Sequence, residues 1–173
     1  VKSLMSLMDC FLVNYEDKKY LKTLTETNIR GHVEGIFFFS CVWSVGGTCD
    51  DAGRYKFDFL FREIMEGPLS EETKHQFELL EDVGPPTRLY LVPIPRDGKV
   101  YDYRFVREGR GVWKKWSEDL KTVKPIAKDI QVNEIIVPTV DTVRYYYLMN
   151  LLVLHQKGML LVGPTGTGKS VYI

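Results

Sequence analysis

Residues Gly158 to Ile173, GMLLVGPTGTGKSVYI, limit the fold of this chain more than any other stretch. Gly163-Pro164-Thr165-Gly166-Thr167-Gly168-Lys169-Ser170 satisfies G-x-x-x-x-G-K-[ST] at every fixed position. Glycines at that spacing let the backbone double back so that successive N–H groups face a phosphate. The positive end of a following helix adds to the attraction. Such a loop needs a strand before it and a helix after it. The apolar run Met159 to Val162 is therefore expected as a short strand buried on both faces of a parallel sheet, with a helix beginning near Gly168. With ATP or ADP as the ligand, Lys169 would reach the β-phosphate and, in ATP, the γ-phosphate, and the Ser170 hydroxyl would ligate Mg²⁺.

Hydrolysis asks for more: an acid to hold Mg²⁺ and a group to orient the attacking water. No acid-ended apolar strand follows Ser170. Upstream, FELLED at Phe77 to Asp82 lies in a predicted helix that Gly84-Pro85-Pro86 breaks, so it is rejected as a substitute. The chain is expected to carry no complete catalytic set, to hydrolyse negligible ATP by itself and to bind nucleotide weakly. Val1 begins inside a helical pattern, and the sequence reads as a piece of a longer polypeptide.

Upstream of the loop the pattern is helical. Val1, Leu4, Met8, Phe11 and Tyr15, widened by Met5 and Leu12, form the stripe of an amphipathic helix. NYEDKKYLKTLTETN connects to a second helix, apolar nearly all round from Ile29 to Val45, which belongs at the centre of a bundle and ends at Gly46-Gly47. Asp50 or Asp51 can cap a third helix, lined by Phe57, Phe61, Ile64 and Met65 and stopped by Gly67-Pro68. Ser70, followed by Glu71 and Glu72, starts a fourth, with Phe77 and Leu80 as its buried edge.

Composition changes at Thr87. Asp97-Gly98 followed by Tyr101, Tyr103 and Phe105 on alternate positions signals a β-hairpin, with Val100, Asp102 and Arg104 on the other face. The stretch REGRG can turn the chain again and return Val112 to Trp116 as a strand. Trp113 and Trp116 are read as docking the hairpin while the neighbouring lysines face water. Lys121 to Asn133 is expected as a surface connection. A last helix, capped by Thr139 or Asp141, carries Val143, Tyr147, Leu151 and Leu154 and ends at Gly158. The divisions are 1–86, helical; 87–133, hairpin and connector; and 134–173, the start of a phosphate-binding domain.

Several function classes fall away. With 23 basic and 23 acidic residues the net charge is zero, which argues against a nucleic-acid partner. The most apolar stretch, Gly35 to Val45, is far short of the roughly 20 residues a membrane span requires, so no membrane partner is expected. Cys10, Cys41 and Cys49, and His32, His75 and His155, have no metal-ligand spacing.

NEIIVPTVDTVRYYYLMNLLVLHQKGMLLVGPTGTGKSVYI resembles the start of the third AAA+ module of dynein heavy chains, in particular axonemal inner-arm ones. GIFFFSCVWSVGGTCDDAGRYKFDFLFREIM resembles the helical lid of the second module, and VYDYRFVREGRGVWKKW is similar to the stretch joining the two. The resemblance implies an α/β AAA+ P-loop NTPase fragment: helical lid bundle, β-hairpin connector, then the first helix, strand and P-loop of a truncated parallel-sheet domain. It implies a parent that is a microtubule minus-end-directed motor ATPase of cilia and flagella, in the cytoplasm, cytoskeleton and axoneme. Its partners would be neighbouring AAA+ modules, microtubules, and dynein intermediate and light chains. Under the resemblance Ile136, Val137, Pro138 and Thr139 match the segment beside the adenine, an ordinary helix start being the other reading. Arg54 is a candidate lid sensor for the second module's nucleotide, against a solvated arginine at a helix start; Arg144 is read as structural or interfacial. Two rivals stay open: a short P-loop protein that binds nucleotide without hydrolysis, and a truncated, unrelated P-loop NTPase.

Overall fold

Side-chain caps set the helix starts. Thr25 Oγ1 accepts from the Asn28 N–H at 3.1 Å and opens α3 (Glu26–Ser44), and Asp50 Oδ1 accepts from Gly53 N–H at 2.7 Å and opens α4 (Asp51–Glu66). Ser70 Oγ accepts from Thr73 N–H at 3.2 Å ahead of α5 (Glu71–Gln76). Before them come α1 (Lys2–Leu12), a 3-10 turn and the short α2 (Lys18–Leu21). The computed structural model describes residues 1–76, 78, 90–123, 131, 135–166 and 168. Phe77, Leu80, the Gly84-Pro85-Pro86 stop and most of the 121–133 connection lie outside the described residues.

α3 is the central element, as its composition predicts. α1 packs along it, burying Leu7, Cys10 and Phe11. Val1 and Met5, which the apolar stripe includes, are 99% and 52% exposed. Apolar residues wrap more than half of α1, so periodicity alone does not choose its buried side; contact with α3 does. On α4, Phe57 and Phe61 stack at 5.5 Å, while Ile64 of the expected stripe points to water. Gly46 and Gly67 end α3 and α4 where the sequence places the stops.

Among the described residues the sheet is one antiparallel hairpin, β1 (Tyr103–Val106) with β2 (Val112–Lys115), in register Tyr103 to Lys115 and Val106 to Val112. Its connection is Arg107 to Gly111, where Gly109 and Gly111 take φ of +56° and +104°. Asp97-Gly98 is not the hairpin turn: it precedes a 3-10 turn, Val100–Asp102. In that turn strand alternation does not apply, and Val100 is buried together with Tyr101, Tyr103 and Phe105. Trp116 starts α6 (Trp116–Leu120) instead of ending the strand, and it is fully buried, donating from Nε1 to the Tyr101 carbonyl at 3.1 Å. Lys114 and Lys115 reach outward to Glu108 and Asp97. Gly31 and Gly35, one turn apart on α3, let the hairpin come close: a methyl group at either would lie 2.1 Å from Arg110 O or from the Phe105 ring.

α7 (Val140–Leu154) lies on this assembly. Its Val143, Tyr147, Leu148, Leu151 and Leu152 pack on the cluster formed by Leu7, Phe11, Ile36, Phe39, Phe105 and Trp116. Leu154, expected on the same stripe, is 71% exposed. The helix ends before Gly158. Gln156 takes φ +54°, with Gln156 N–H bonded to Val153 O and Lys157 N–H to Leu152 O, the double hydrogen bond of a Schellman stop. Met159 to Val162 forms no strand, and Leu160 and Val162 are 85% and 83% exposed. A strand needs a neighbour for its ladder, and among the described residues β1 and β2 pair only with each other.

Candidate functional site

Gly166 and Gly168 have φ of +81° and +75°. A methyl group at either would meet nothing within 4 Å. Glycine is therefore needed there for the sign of the backbone torsion and not for space, as expected of a loop that folds its N–H groups inward around a ligand. Gly163, Pro164 and Thr165 lead into that bend and are exposed. Thr167, Lys169 and Ser170 lie outside the described residues. The described part of the loop thus has, at two glycines, the backbone torsions that the G-x-x-x-x-G-K-[ST] pattern calls for.

The expected adenine-side strip stands at the other end of α7. Thr139 caps the helix: its Oγ1 accepts from Thr142 N–H at 3.1 Å, and its own N–H donates to Thr142 Oγ1 at 2.6 Å. Ile136 and Pro138 line a groove of about 760 Å³ with Trp116, Val143 and Tyr147, and the Arg104–Asp119 ion pair forms part of its wall. Val137, at 63% exposure, does not line it. Among the described residues, none of 163–168 lines this groove. The structure therefore joins Ile136 and Pro138 to the hairpin side of the molecule and leaves the loop apart from them.

Arg54 is not a solvated helix-start arginine. Its Nη2 donates to Tyr145 Oη at 3.1 Å, and its guanidinium carbon lies 5.2 Å from the centre of the Tyr101 ring. Tyr101 is itself fixed, buried and donating from Oη to the Gly46 carbonyl at 2.8 Å. Burial pushes the Tyr101 hydroxyl well above the usual phenol range, so it stays a neutral donor. Arg144 runs the opposite way, from α7 to a position 5.9 Å from the Trp43 ring on α3, and pairs with Asp141. Trp43 meets both Tyr101 and Tyr145 edge to face, at 5.8 and 6.5 Å. The Nε atoms of Arg54 and Arg144 are buried with no hydrogen-bond partner among the described residues. Nothing in the sequence groups Trp43, Tyr101 and Tyr145. Arg54 and Tyr145 stand 91 positions apart, and no spacing signal links them.

His32 is fully buried, and its Nε2–H donates to Gly109 O at 2.9 Å while Tyr15 Oη donates to Nδ1 at 2.7 Å. Nε2 ties α3 to the hairpin connection and Nδ1 ties it to the 3-10 turn that follows α1. Among the described residues no cluster of His, Cys, Asp and Glu could hold a metal ion, and no helix is long and apolar enough to cross a membrane.

Two family models match successive parts of the chain. The family model described as dynein heavy chain AAA lid domain matches residues 1–118, and the one described as P-loop containing dynein motor region matches residues 124–173. Human dynein axonemal heavy chain 12 is 41% identical over 142 residues, 82% of this chain. Mouse dynein axonemal heavy chain 3 is 31% identical over 163 residues, or 91% of it, and human dynein axonemal heavy chain 1 is 32% identical over 189 aligned residues, or 99%. The chain spans about 4% of the length of each of these relatives.

Proposed function

This chain belongs to the dynein heavy chain family, and on that premise we propose that it joins the lid of the second AAA+ module to the nucleotide loop of the third in an axonemal, inner-arm heavy chain. Residues 1–86 are then the lid proper, 87–133 the hairpin and connector, and 134–173 the start of the next module. Gly163, Pro164, Thr165, Gly166, Thr167 and Gly168 cradle the phosphates of ATP or ADP. Lys169 neutralises the β- and γ-phosphates, and Ser170 ligates Mg²⁺, which would offset the remaining phosphate charge. The observation that carries this is the complete loop pattern together with left-handed backbone at both Gly166 and Gly168.

Ile136 to Thr139 are proposed for the adenine side. α7 is 15 residues and so about 22 Å long. Lys157 to Val162 supply enough chain, at about 3.3 Å per residue, to run roughly that length back toward its start. The parent is proposed to be an ATP-hydrolysing, minus-end-directed microtubule motor of the cilium or flagellum axoneme, in the cytoplasm and cytoskeleton. Its partners are its own neighbouring AAA+ modules, microtubules, and intermediate and light chains. Within it the present site gates the ring and does not supply the power step.

The test is a titration of the intact heavy chain with a fluorescent ADP in the presence of Mg²⁺, with and without Lys169→Ala. Loss of one class of sites in the variant is expected. Identical stoichiometry and affinity in the two proteins would remove the loop from nucleotide binding.

A further inference from the structure

The hairpin connection, Arg107 to Gly111, contains no apolar side chain, and its Glu108, Gly109 and Arg110 are exposed. Among the described residues two polar ties bind it to the helices. Gly109 O accepts from His32 Nε2–H of α3 at 2.9 Å. Arg107 Nη1 donates to Phe11 O of α1 at 3.0 Å, and its guanidinium carbon lies 5.9 Å from the centre of the Tyr15 ring. With its amide oxygen turned to Arg107, Asn14 accepts from Nη2 at 2.8 Å. Both ties meet at Tyr15, whose hydroxyl donates to His32 Nδ1 at 2.7 Å. One of the groups that keep the connection down is therefore an imidazole, which titrates.

Neutral His32 fits this site. Its Nε2–H has a carbonyl to donate to, which leaves the Nδ1 lone pair for the Tyr15 O–H. A proton on Nδ1 sets two donors against each other, so the Tyr15 O–H must turn aside, toward Tyr20 of α2, whose ring centre is 5.5 Å away. The added charge finds no counter-ion. The titratable or charged groups facing the imidazole are Tyr15 from the 3-10 turn, with Tyr20 behind it, and Arg107 from the connection. The nearby acids are engaged elsewhere: Glu34 with Arg30, Glu108 with Lys114, and Asp17 with the first turn of α2, while Glu16 and Arg110 are exposed. Burial is the larger reason that His32 resists a proton, and Arg107 adds to it; the Gly109 carbonyl works against both and is outweighed.

We propose that His32 is a proton-operated latch for the hairpin connection: neutral, it holds Gly109 and accepts from Tyr15; protonated, it displaces Arg107 from Phe11 O and Asn14, and the connection lifts from α1 and α3. In the lifted state both cations stand in water and the imidazole titrates near its ordinary 6.5. The closed state refuses a proton that the open state takes up. The latch is therefore fully closed above pH 6.5, and opening grows as pH falls below it, by at most about ten-fold per pH unit for one proton. The strands are not part of the device, because Phe105 seats them against Gly35 by apolar contact. What moves is the tip of the hairpin.

The experiment uses the intact heavy chain. Amide hydrogen exchange is followed by mass spectrometry between pH 7.5 and 5.5 on peptides covering residues 107–112, each rate divided by the intrinsic rate at that pH. Protection there is expected to fall between about three-fold and ten-fold from pH 6.5 to 5.5, while peptides from α1 and α3 keep theirs. His32→Gln retains a donor for Gly109 O and cannot titrate, so in that variant the pH dependence should vanish. In Arg107→Gln it should become shallower, because the opposing charge is gone. Exchange of the imidazole C2 hydrogen in the unsubstituted chain reads the His32 pKa directly and is expected to place it below 6.5, which keeps the test intact if a variant fails to fold. A pKa at or above 6.5, an unaltered pH dependence in His32→Gln, or an equal loss of protection across α1, α3 and the connection would each overturn the latch.

Discussion

Gly35→Ala sets two effects of opposite sign against each other. Alanine is the better helix former by about 1 kcal/mol, and Gly35 lies in the interior of α3. The new methyl, however, would lie 2.1 Å from Phe105 Cε2, 2.3 Å from Cζ and 2.4 Å from Cδ2. Phe105 is 3% exposed and belongs to the main core cluster. The backbone of Gly111 is packed on the same ring, a Cβ there falling 2.3 Å from Cζ, so the ring has little room to withdraw. Overpacking costs about 1–3 kcal/mol, and three ring atoms inside contact distance place this case at the upper end. The difference is a loss of about 2 kcal/mol, or roughly 4–8 °C in Tm for a chain of this size. Urea unfolding followed by far-ultraviolet circular dichroism gives the midpoint. Gly47→Ala is the control, because its nearest neighbour, Trp43 Cε3, would be 4.0 Å away, and it should change stability by less than about 0.5 kcal/mol. Phe105→Leu should restore part of the loss in the Gly35→Ala background. A Gly35→Ala protein as stable as the parent would refute the idea that α3 needs a bare backbone to seat the hairpin.

Three further outcomes are expected. Burial, aided by nearby Arg107 and opposed by the Gly109 carbonyl, holds the His32 pKa below its ordinary 6.5. The unfolded chain therefore binds a proton that the folded chain refuses, so this contribution is complete above pH 6.5 and is lost as pH falls below it; urea midpoints between pH 7.5 and 5 should decline, and less steeply in His32→Gln. Gln156→Gly should stabilise the chain by about 1 kcal/mol, because a residue with a Cβ now occupies the left-handed stop of α7, and thermal melts would show it. Gly168→Ala should lower Lys169-dependent ADP affinity in the heavy chain about ten-fold while leaving the melting temperature unchanged, since the strain falls on an exposed loop torsion.

Much of the helical framework was legible because its boundaries are written in local chemistry. Asp50, Ser70 and Thr139 cap where the sequence suggests, and the glycines at 46 and 67 stop the helices before them. Which side of a helix is buried was less legible: Met5, Ile64 and Leu154 fit an apolar stripe yet face water, because the facing element decides the burial. The hairpin was legible in its alternation, Tyr103 and Phe105 inward. Its turn was ambiguous, since Asp97-Gly98 and the stretch REGRG both offer glycine, and only the second has a pairing strand on each side.

The bend at Gly166 and Gly168 was legible for the same reason as the caps: a backbone of unusual sign leaves glycines in the sequence, and both residues adopt it. The contact between α4 and α7 was not, because a bond between Arg54 and Tyr145 is a property of two helices brought side by side and of no local run of residues. The Met159–Val162 run shows what such a pattern encodes. Four consecutive apolar residues state that both faces require cover; they do not state that the cover lies nearby. In a sheet the cover comes from flanking strands and packed layers, and the hairpin among the described residues is turned toward α3, with Phe105 against Gly35. The apolar run and the exposed Leu160 and Val162 are thus consistent with each other, and the sequence specifies a strand surface that the described residues alone do not bury.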